Sequence, residues 1–403
     1  MRGGRVAIVG GSIAGCAASI ALERGGAEDI TVYERAADGL AERGVGVAVH
    51  NARHAELESA GYIDAAVPWV PITRRRWYVR DDSDVRSPLG RAIATDPFPF
   101  HSYNWGPLWR ELRGRVPATA DFRAGSAIEA VEFTPGGAEV HAGGRTERYD
   151  VVIGADGYRS TVRAALYADV LPEYAGYLAW RGAYPVERLG DAELWAEDEC
   201  AYVVFPGGHL VVYRIPDGAG GHRVNWVLYT VPPAGLDQGM RTPTSLPPGT
   251  AGDGLRAHLA HVADELLPAF WGGLVRATTH DELFLQPLYD FTAPHYAVGR
   301  AFLVGDAATV ARPHTGAGAV KALQDATVLE AALTSTATWT EALAAYDADR
   351  APSGQAMVEL GRRLGRGLVL ETPEWGALDQ ESLGMWWAEV TGTGPFGGRE
   401  LKR

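Results

Sequence analysis

The sequence predicts an α/β protein in which a Rossmann-type nucleotide-binding domain is joined to an antiparallel β-sheet domain and C-terminal helices. Three observations carry this. The apolar run Val6–Val9 passes into GGSIAG (residues 10–15) and then an alanine-rich stretch, the strand–glycine turn–helix order of a βαβ unit. Residues 172–232 hold a series of short, aromatic, β-rich segments. From Ala301, AFLVGDAATVARPHTGAGAVKALQDA returns to strand, glycine loop and helix.

Each element follows in order. Residues 5–9 read as a buried parallel strand, residues 13–24 as a helix, and DITVYERA from Asp29 as a second strand. Glu34 ends that strand, 19 residues after Gly15. In the middle of the chain, YLAWRGAYPV, CAYVVFP, HLVVYRIP and HRVNWVLYTV read as strands, with a hairpin turn at Gly207-Gly208. Residues 231–252, rich in Pro, Gly and Thr, read as a surface loop. The expected organisation is a discontinuous cofactor domain (1–75, 100–170, 280–370), a substrate domain (76–99, 171–279) and a C-terminal tail (371–403) that packs back on the body or frames an interface.

The composition excludes several classes. A chain of 403 residues can bury a large core, and 46% hydrophobic with 22% charged residues is ordinary for a globular protein. A net charge of −13 argues against a general nucleic-acid binder. Two cysteines, Cys16 and Cys200, make neither a disulfide framework nor a metal cluster, so no metal is expected. No secretory leader or membrane span is recognisable, and a cytoplasmic location without membrane association is the expectation.

The chemistry concentrates at three strand-to-glycine junctions. In GGSIAG, Gly10 permits a tight turn, Gly15 lets the helix approach, and the helix N-terminus offers amides and a positive dipole end to a pyrophosphate. Ser12 stands where G-x-G-x-x-G has its middle glycine; its small side chain still admits the backbone, and its hydroxyl can add a hydrogen bond. Glu34 stands where such folds place the acidic residue that holds an adenosine ribose. The second junction is DVVIGADGYRSTVRAAL (150–166), with Asp156, Arg159 and Arg163. The third couples Gly305-Asp306 to Pro313 and a glycine-rich helix entry. A bland glycine turn or a plain NAD-binding dehydrogenase accounts for the first junction, but not for the Asp156 and Asp306 stretches.

On these residues, from Val6 to about Arg366, the chain resembles the flavin-dependent aromatic hydroxylases of the para-hydroxybenzoate hydroxylase fold. GYLAWRGAYP, LVGDAATVARPHTGAGAVKA and the Ser-containing GGSIAG look most like the 2,6-dihydroxypyridine 3-hydroxylase branch. The resemblance implies FAD as bound cofactor, NADPH or NADH as reductant, and dioxygen. One oxygen atom would pass from a flavin C4a-hydroperoxide to an aromatic, heteroaromatic or enolisable small molecule. A Baeyer–Villiger-type or ring-rearranging outcome on a natural-product intermediate stays open, as does monomer or homodimer.

Carried over by position, the resemblance assigns Gly10, Ser12, Ile13, Ala14 and Gly15 to the pyrophosphate and Glu34 to the ribose. Arg35 would lie near the adenine, which Ile128 would touch through its backbone. Arg43 would reach the phosphates or ribityl chain, with Gly46 and Val47 near the flavin. Asp156 would position the cofactor and Arg159 meet the nicotinamide dinucleotide. Asp306 would bind the ribityl chain, and Pro313 with the amides of Gly316, Ala317 and Gly318 would surround the isoalloxazine. The chain departs from the family twice: Thr309 replaces a histidine after Gly-Asp-Ala-Ala, and Trp105 replaces an arginine in R-x-x-L, with Arg110 one turn later.

For catalysis the candidates are His314, Arg181 as an anion clamp, and Tyr213, with His101, His209 and Tyr202 behind them. On the residues alone, Tyr202, Tyr213, Trp180 and Trp226 also read as packing residues, and His209 as a solvated turn residue. Neither the W-x-W-x-I-P segment of tryptophan-type halogenases nor the C-x-x-C pair of disulfide flavin reductases occurs.

Overall fold

The computed structural model describes residues 4–40, 46–83, 87–242, 246 and 248–392. A six-stranded sheet runs in the order Ala297–Val298, Ala301–Leu303, Val151–Gly154, Arg5–Val9, Asp29–Glu34, Asp121–Ala124. Its central pairings are parallel, with Val6 beside Ile30 on one side and Val151 on the other. Strand Arg5–Val9 is buried at every position from Val6 onward, as expected for a central parallel strand covered on both faces. Helix Ile13–Arg24 packs on helix Gly318–Ser335, so the first and third glycine junctions open at the same end of the sheet. A small three-stranded sheet follows at Ile128–Thr134, Gly137–Ala142 and Arg145–Tyr149.

The second large sheet has nine strands, in the order Thr309–Val310, Phe284–Thr292, Glu173–Pro185, His222–Thr230, Gly208–Pro216, Glu199–Phe205, Trp69–Val79, Arg91–Asn104, Gly46–His50. Every pairing is antiparallel except Glu199–Phe205 with Trp69–Val79, which is parallel. Strands 46–50, 69–79 and 284–292 all belong to this sheet. Segments expected in the cofactor unit and segments expected in the substrate unit therefore lie in one continuous sheet.

Successive side chains alternate between the faces of this sheet. Leu178, Trp180, Tyr184, Val203, Val212 and Trp226 pack with Trp271 and the helices Asp253–His261 and Ala269–Arg276. Tyr177, Ala179, Tyr202, Val211, Val227 and Tyr229 face the opposite way. That alternation settles Trp180 and Trp226 as core. The hairpin between the 199–205 and 208–216 strands turns at Pro206-Gly207, because Phe205 pairs with Gly208; the turn lies one residue earlier than the sequence suggests. The 231–252 segment is anchored rather than loose: Met240 is buried and its carbonyl accepts from the Tyr289 hydroxyl (2.6 Å).

Thr338 and Glu341 form a capping box that starts the helix Trp339–Gly365. Beyond it, Trp375 is buried and helix Gln380–Thr391 lays Trp386 and Trp387 beside Trp77, with the Arg75 guanidinium over both Trp77 and Trp387. The described part of the tail, residues 371–392, thus packs back on the body. No helix among the described residues is long and apolar enough to cross a membrane.

Candidate active site

Residues of the nine-stranded sheet, and of the segments that follow strands Arg5–Val9, Val151–Gly154 and Ala301–Leu303 of the six-stranded sheet, line one cavity of about 610 Å³, within the range of small-molecule sites. One end is formed by Ser12, Ile13 and Ala14, by Ala155, Gly157 and Tyr158, and by Asp306, Pro313 and Gly316–Ala319. All three glycine junctions thus converge.

The first junction is built by close backbone packing. Gly10 has φ +105°, and a Cβ there would sit 2.3 Å from the Ala155 carbonyl oxygen. A Cβ on Gly15 would sit 1.8 Å from the Gly10 carbonyl oxygen. Only glycine fits either place, and the result is a turn that brings Ser12, Ile13 and Ala14 to the cavity. Ser12 begins the helix in extended conformation, and its hydroxyl makes no capping hydrogen bond. Glu34 is buried; its Oε2 accepts from Gly11 N–H (2.9 Å) and its Oε1 from Ala36 N–H (2.8 Å). The Trp109 indole N–H donates to the Gly11 carbonyl (2.9 Å), pinning the same turn from the other side.

At the third junction the Asp306 side chain is exposed onto the cavity while protein surrounds it on its other sides, and among the described residues its carboxylate has no hydrogen-bond or ion-pair partner. Burial pushes its pKa up, while nearby Lys321 opposes the shift. Helix Gly318–Ser335 starts at the cavity with no side-chain cap, leaving its first amides and positive dipole end free. A cradle that no Cβ can enter, free helix amides and an unpartnered carboxylate fit a dinucleotide flavin: anionic phosphates meet the amides, and ribityl hydroxyls meet Asp306.

The remaining expected cofactor residues divide. Gly46 and Val47 line the cavity, and Trp105 faces it from the position where the family has arginine. Asp156 does not line it. Its Oδ2 accepts from Thr161 N–H (2.7 Å) at the start of helix Thr161–Leu166, so the carboxylate shapes the second junction from behind. Arg159 is exposed beside the Tyr158 ring, and Arg35 is exposed next to Glu34. Ile128 opens the small sheet, close to Glu34 because Ser126 N–H donates to the Glu34 carbonyl (2.8 Å). Arg43 lies outside the described residues. Thr309, the other departure, is buried in a hydroxyl chain with Thr292 (2.7 Å) and Tyr296, away from the cavity.

The other end of the cavity is an aromatic wall. Tyr202, His209, Tyr213 and Tyr229 line it from the sheet, together with Phe98 and Phe100. His209 stacks on Tyr229 (4.8 Å between centroids), which also packs on His314 (4.3 Å). His314 Nε2 is hydrogen-bonded to the Tyr177 hydroxyl (2.7 Å). Burial holds His314 far below an ordinary histidine and His209 down at about 3, so both are neutral. His209 is therefore a wall residue, not a solvated turn. His101 lies on the opposite face of its strand, stacked on His54 (4.3 Å), and does not line the cavity.

Arg181 lines the aromatic end, its Nε buried with no partner, and among the described residues it forms no ion pair or hydrogen bond. The Tyr213 and Tyr229 hydroxyls lie within its field. An unpaired guanidinium among aromatic rings is equipped to receive an anion. Sequence reasoning missed Tyr229, whose two-residue alternation with Val227 was the available signal. It also missed Lys321, whose ammonium is bonded to the Gly305 carbonyl (3.0 Å).

A cofactor cradle joined to an aromatic chamber defines a flavoprotein that acts on small aromatic molecules, and comparison gives the family. Residues 266–360 match the FAD binding domain family and residues 174–290 an FAD binding domain-like family. The chain belongs to the FAD-dependent aromatic hydroxylases. It is 30% identical over 339 residues to 2,6-dihydroxypyridine 3-monooxygenase of Paenarthrobacter nicotinovorans, covering 81% of each chain. It is 30% identical to 3-amino-4-hydroxybenzoate 2-monooxygenase of Streptomyces cremeus, over 89% of this chain and 86% of that one. Among solved structures, 2,6-dihydroxypyridine-3-hydroxylase from Arthrobacter nicotinovorans superimposes with a TM-score of 0.80 at 25% identity, over 93% of this chain and 95% of that one. Klebsiella pneumoniae HpxO, complexed with FAD and uric acid, shares the fold with a TM-score of 0.75 at 22% identity, over 98% and 95% of the two chains.

Proposed function

We propose that this protein is an NAD(P)H-dependent FAD monooxygenase that places one atom of dioxygen into a flat aromatic or heteroaromatic small molecule bearing an anionic group. The observation that carries the reading is the single cavity, with a flavin cradle at one end and an aromatic wall holding one unpaired cation at the other. Bound FAD supplies the redox chemistry and the activation of dioxygen. The chain's own residues do the rest. Ser12 and the Gly10–Gly15 turn hold the pyrophosphate, Glu34 the ribose, and Asp306 the ribityl hydroxyls. Gly316, Ala317 and Gly318 present amides to the flavin ring.

The aromatic wall excludes water and stacks the substrate ring. Arg181 takes the anionic group, and the Tyr213 hydroxyl beside it orients the substrate. His314, kept neutral, acts as a hydrogen-bonding and stacking group; so depressed a basicity makes it a poor general base.

The test is reductant consumption by the purified yellow protein in air, with NADPH and NADH compared against aryl carboxylates and their neutral amides. Consumption stimulated by a carboxylate and not by its amide supports the reading. Consumption that no aromatic ligand alters, or a preference for neutral ligands, contradicts it.

A further inference from the structure

Of the chain's 37 basic residues only two are lysines, Lys321 and Lys402. Lys321 is 1% exposed and sits near the start of helix Gly318–Ser335. Its Nζ donates to the Gly305 carbonyl (3.0 Å) and pairs with Asp325 Oδ2 (2.7 Å), one helical turn along. The same Oδ2 accepts the Gly305 N–H (2.7 Å). One ion pair therefore grips both polar groups of Gly305, the residue before Asp306. From helix Trp339–Gly365, Arg350 Nε donates to Asp325 Oδ1 (2.7 Å).

Two cations share the Asp325 carboxylate, and Arg350 is further paired with Asp349 (3.6 Å), which leaves Lys321 as the cation at the turn. The ammonium lies beside the cavity, since it sits on the carbonyl of Gly305 and the next residue, Asp306, lines the cavity wall. Gly305 also touches the first junction: a Cβ on it would lie 2.9 Å from the Ala14 Cβ. Stability alone does not explain the cluster. A buried ion pair is about neutral against well-packed apolar residues of the same volume. Nor does a general preference for lysine, in a chain that uses arginine for 35 of its 37 basic residues. The compact ammonium fits between one carbonyl and one carboxylate, where a guanidinium fork would leave donors unsatisfied.

We propose that Lys321 is a positioning residue for the flavin: with Asp325 it fixes the Gly305–Asp306 turn against the cofactor and supplies positive charge that favours the reduced, anionic form. The inference concerns the FAD site and does not depend on which substrate the protein takes.

The test uses Lys321→Met and Asp325→Asn, with Lys321→Gln as the milder form should Lys321→Met fail to fold. FAD affinity is read by fluorescence titration of the apoprotein, the flavin midpoint potential by spectroelectrochemistry, and apoprotein stability by melting. Both substitutions are expected to weaken FAD binding by about tenfold or more, the loss of one charge-assisted contact. The potentials are expected to move in opposite directions. Removing the lysine charge lowers the potential; removing its counter-charge raises it. A purely structural cluster lowers apoprotein melting while leaving affinity and potential unchanged, or moves both potentials the same way. Either result overturns the proposal. Wild-type protein that binds no FAD instead refutes the flavin assignment itself.

Discussion

Replacing Arg181 by glutamine removes the one cation that lines the aromatic end among the described residues while keeping much of its length. In the ligand-free protein that guanidinium has no partner among the described residues, and its Nε is buried. It is therefore held at a cost, recovered only when an anion arrives. A hydrogen bond to a charged group contributes about 1.5–3 kcal/mol, so an aryl carboxylate should bind about 10- to 150-fold more weakly to Arg181→Gln. The matching neutral amide should change by less than about threefold, because only the charge has been removed. The free protein should melt no lower than wild type. The assay is titration of the flavin absorbance with a carboxylate–amide pair such as benzoate and benzamide, alongside thermal melting. Equal losses for both ligands, or no preference for the carboxylate in wild type, would show that Arg181 shapes the cavity without reading charge.

Gly15→Ala should cost about 1–3 kcal/mol or more, because its methyl carbon would lie 1.8 Å from the Gly10 carbonyl oxygen and must force the helix off the turn. Thermal unfolding and the flavin-to-protein absorbance ratio should fall together, and retention of both would mean the turn can relax. Asp306→Ala should lower flavin content through loss of a charged acceptor, about tenfold in affinity; wild-type flavin content would remove Asp306 from the site. His209 should make the fold acid-sensitive. Its folded pKa is about 3 against 6.5 unfolded, so protons bind the unfolded chain first and stability is lost as pH falls below about 6.5. The loss should reach about 2 kcal/mol at pH 5, read by urea denaturation, and His209→Phe should reduce that slope; an unchanged slope would place the acid sensitivity elsewhere.

The parts legible in the sequence are those where local chain geometry leaves one choice. Gly10 and Gly15 are fixed by contacts that no Cβ can share, so the first junction shows through despite Ser12. The strands of the 172–232 region were legible from their apolar, aromatic runs. Which of their residues meet was not. Tyr202, His209, Tyr213 and Tyr229 form one wall because of register between strands, and Arg181 is left unpaired only by what surrounds it in space. Asp156 shows the limit of carrying a motif over. One oxygen of its carboxylate holds the start of helix Thr161–Leu166, and the cavity is lined by its neighbours Ala155 and Gly157. The Lys321–Asp325–Arg350 cluster joins two helices whose partners sequence spacing does not reveal, although one of only two lysines in an arginine-rich chain was a visible oddity.

The measurement that bears most directly on the central claim is isotope incorporation. Purified, FAD-loaded protein is incubated with NADPH and ¹⁸O₂ in a metabolite extract from a host lacking the gene, and products are resolved by mass spectrometry. The account predicts an anionic aromatic metabolite that gains a single heavy oxygen atom, dependent on the protein and lost in Asp306→Ala. Reductant consumed with only hydrogen peroxide formed, or labelled products equally abundant with Arg181→Gln, would contradict it.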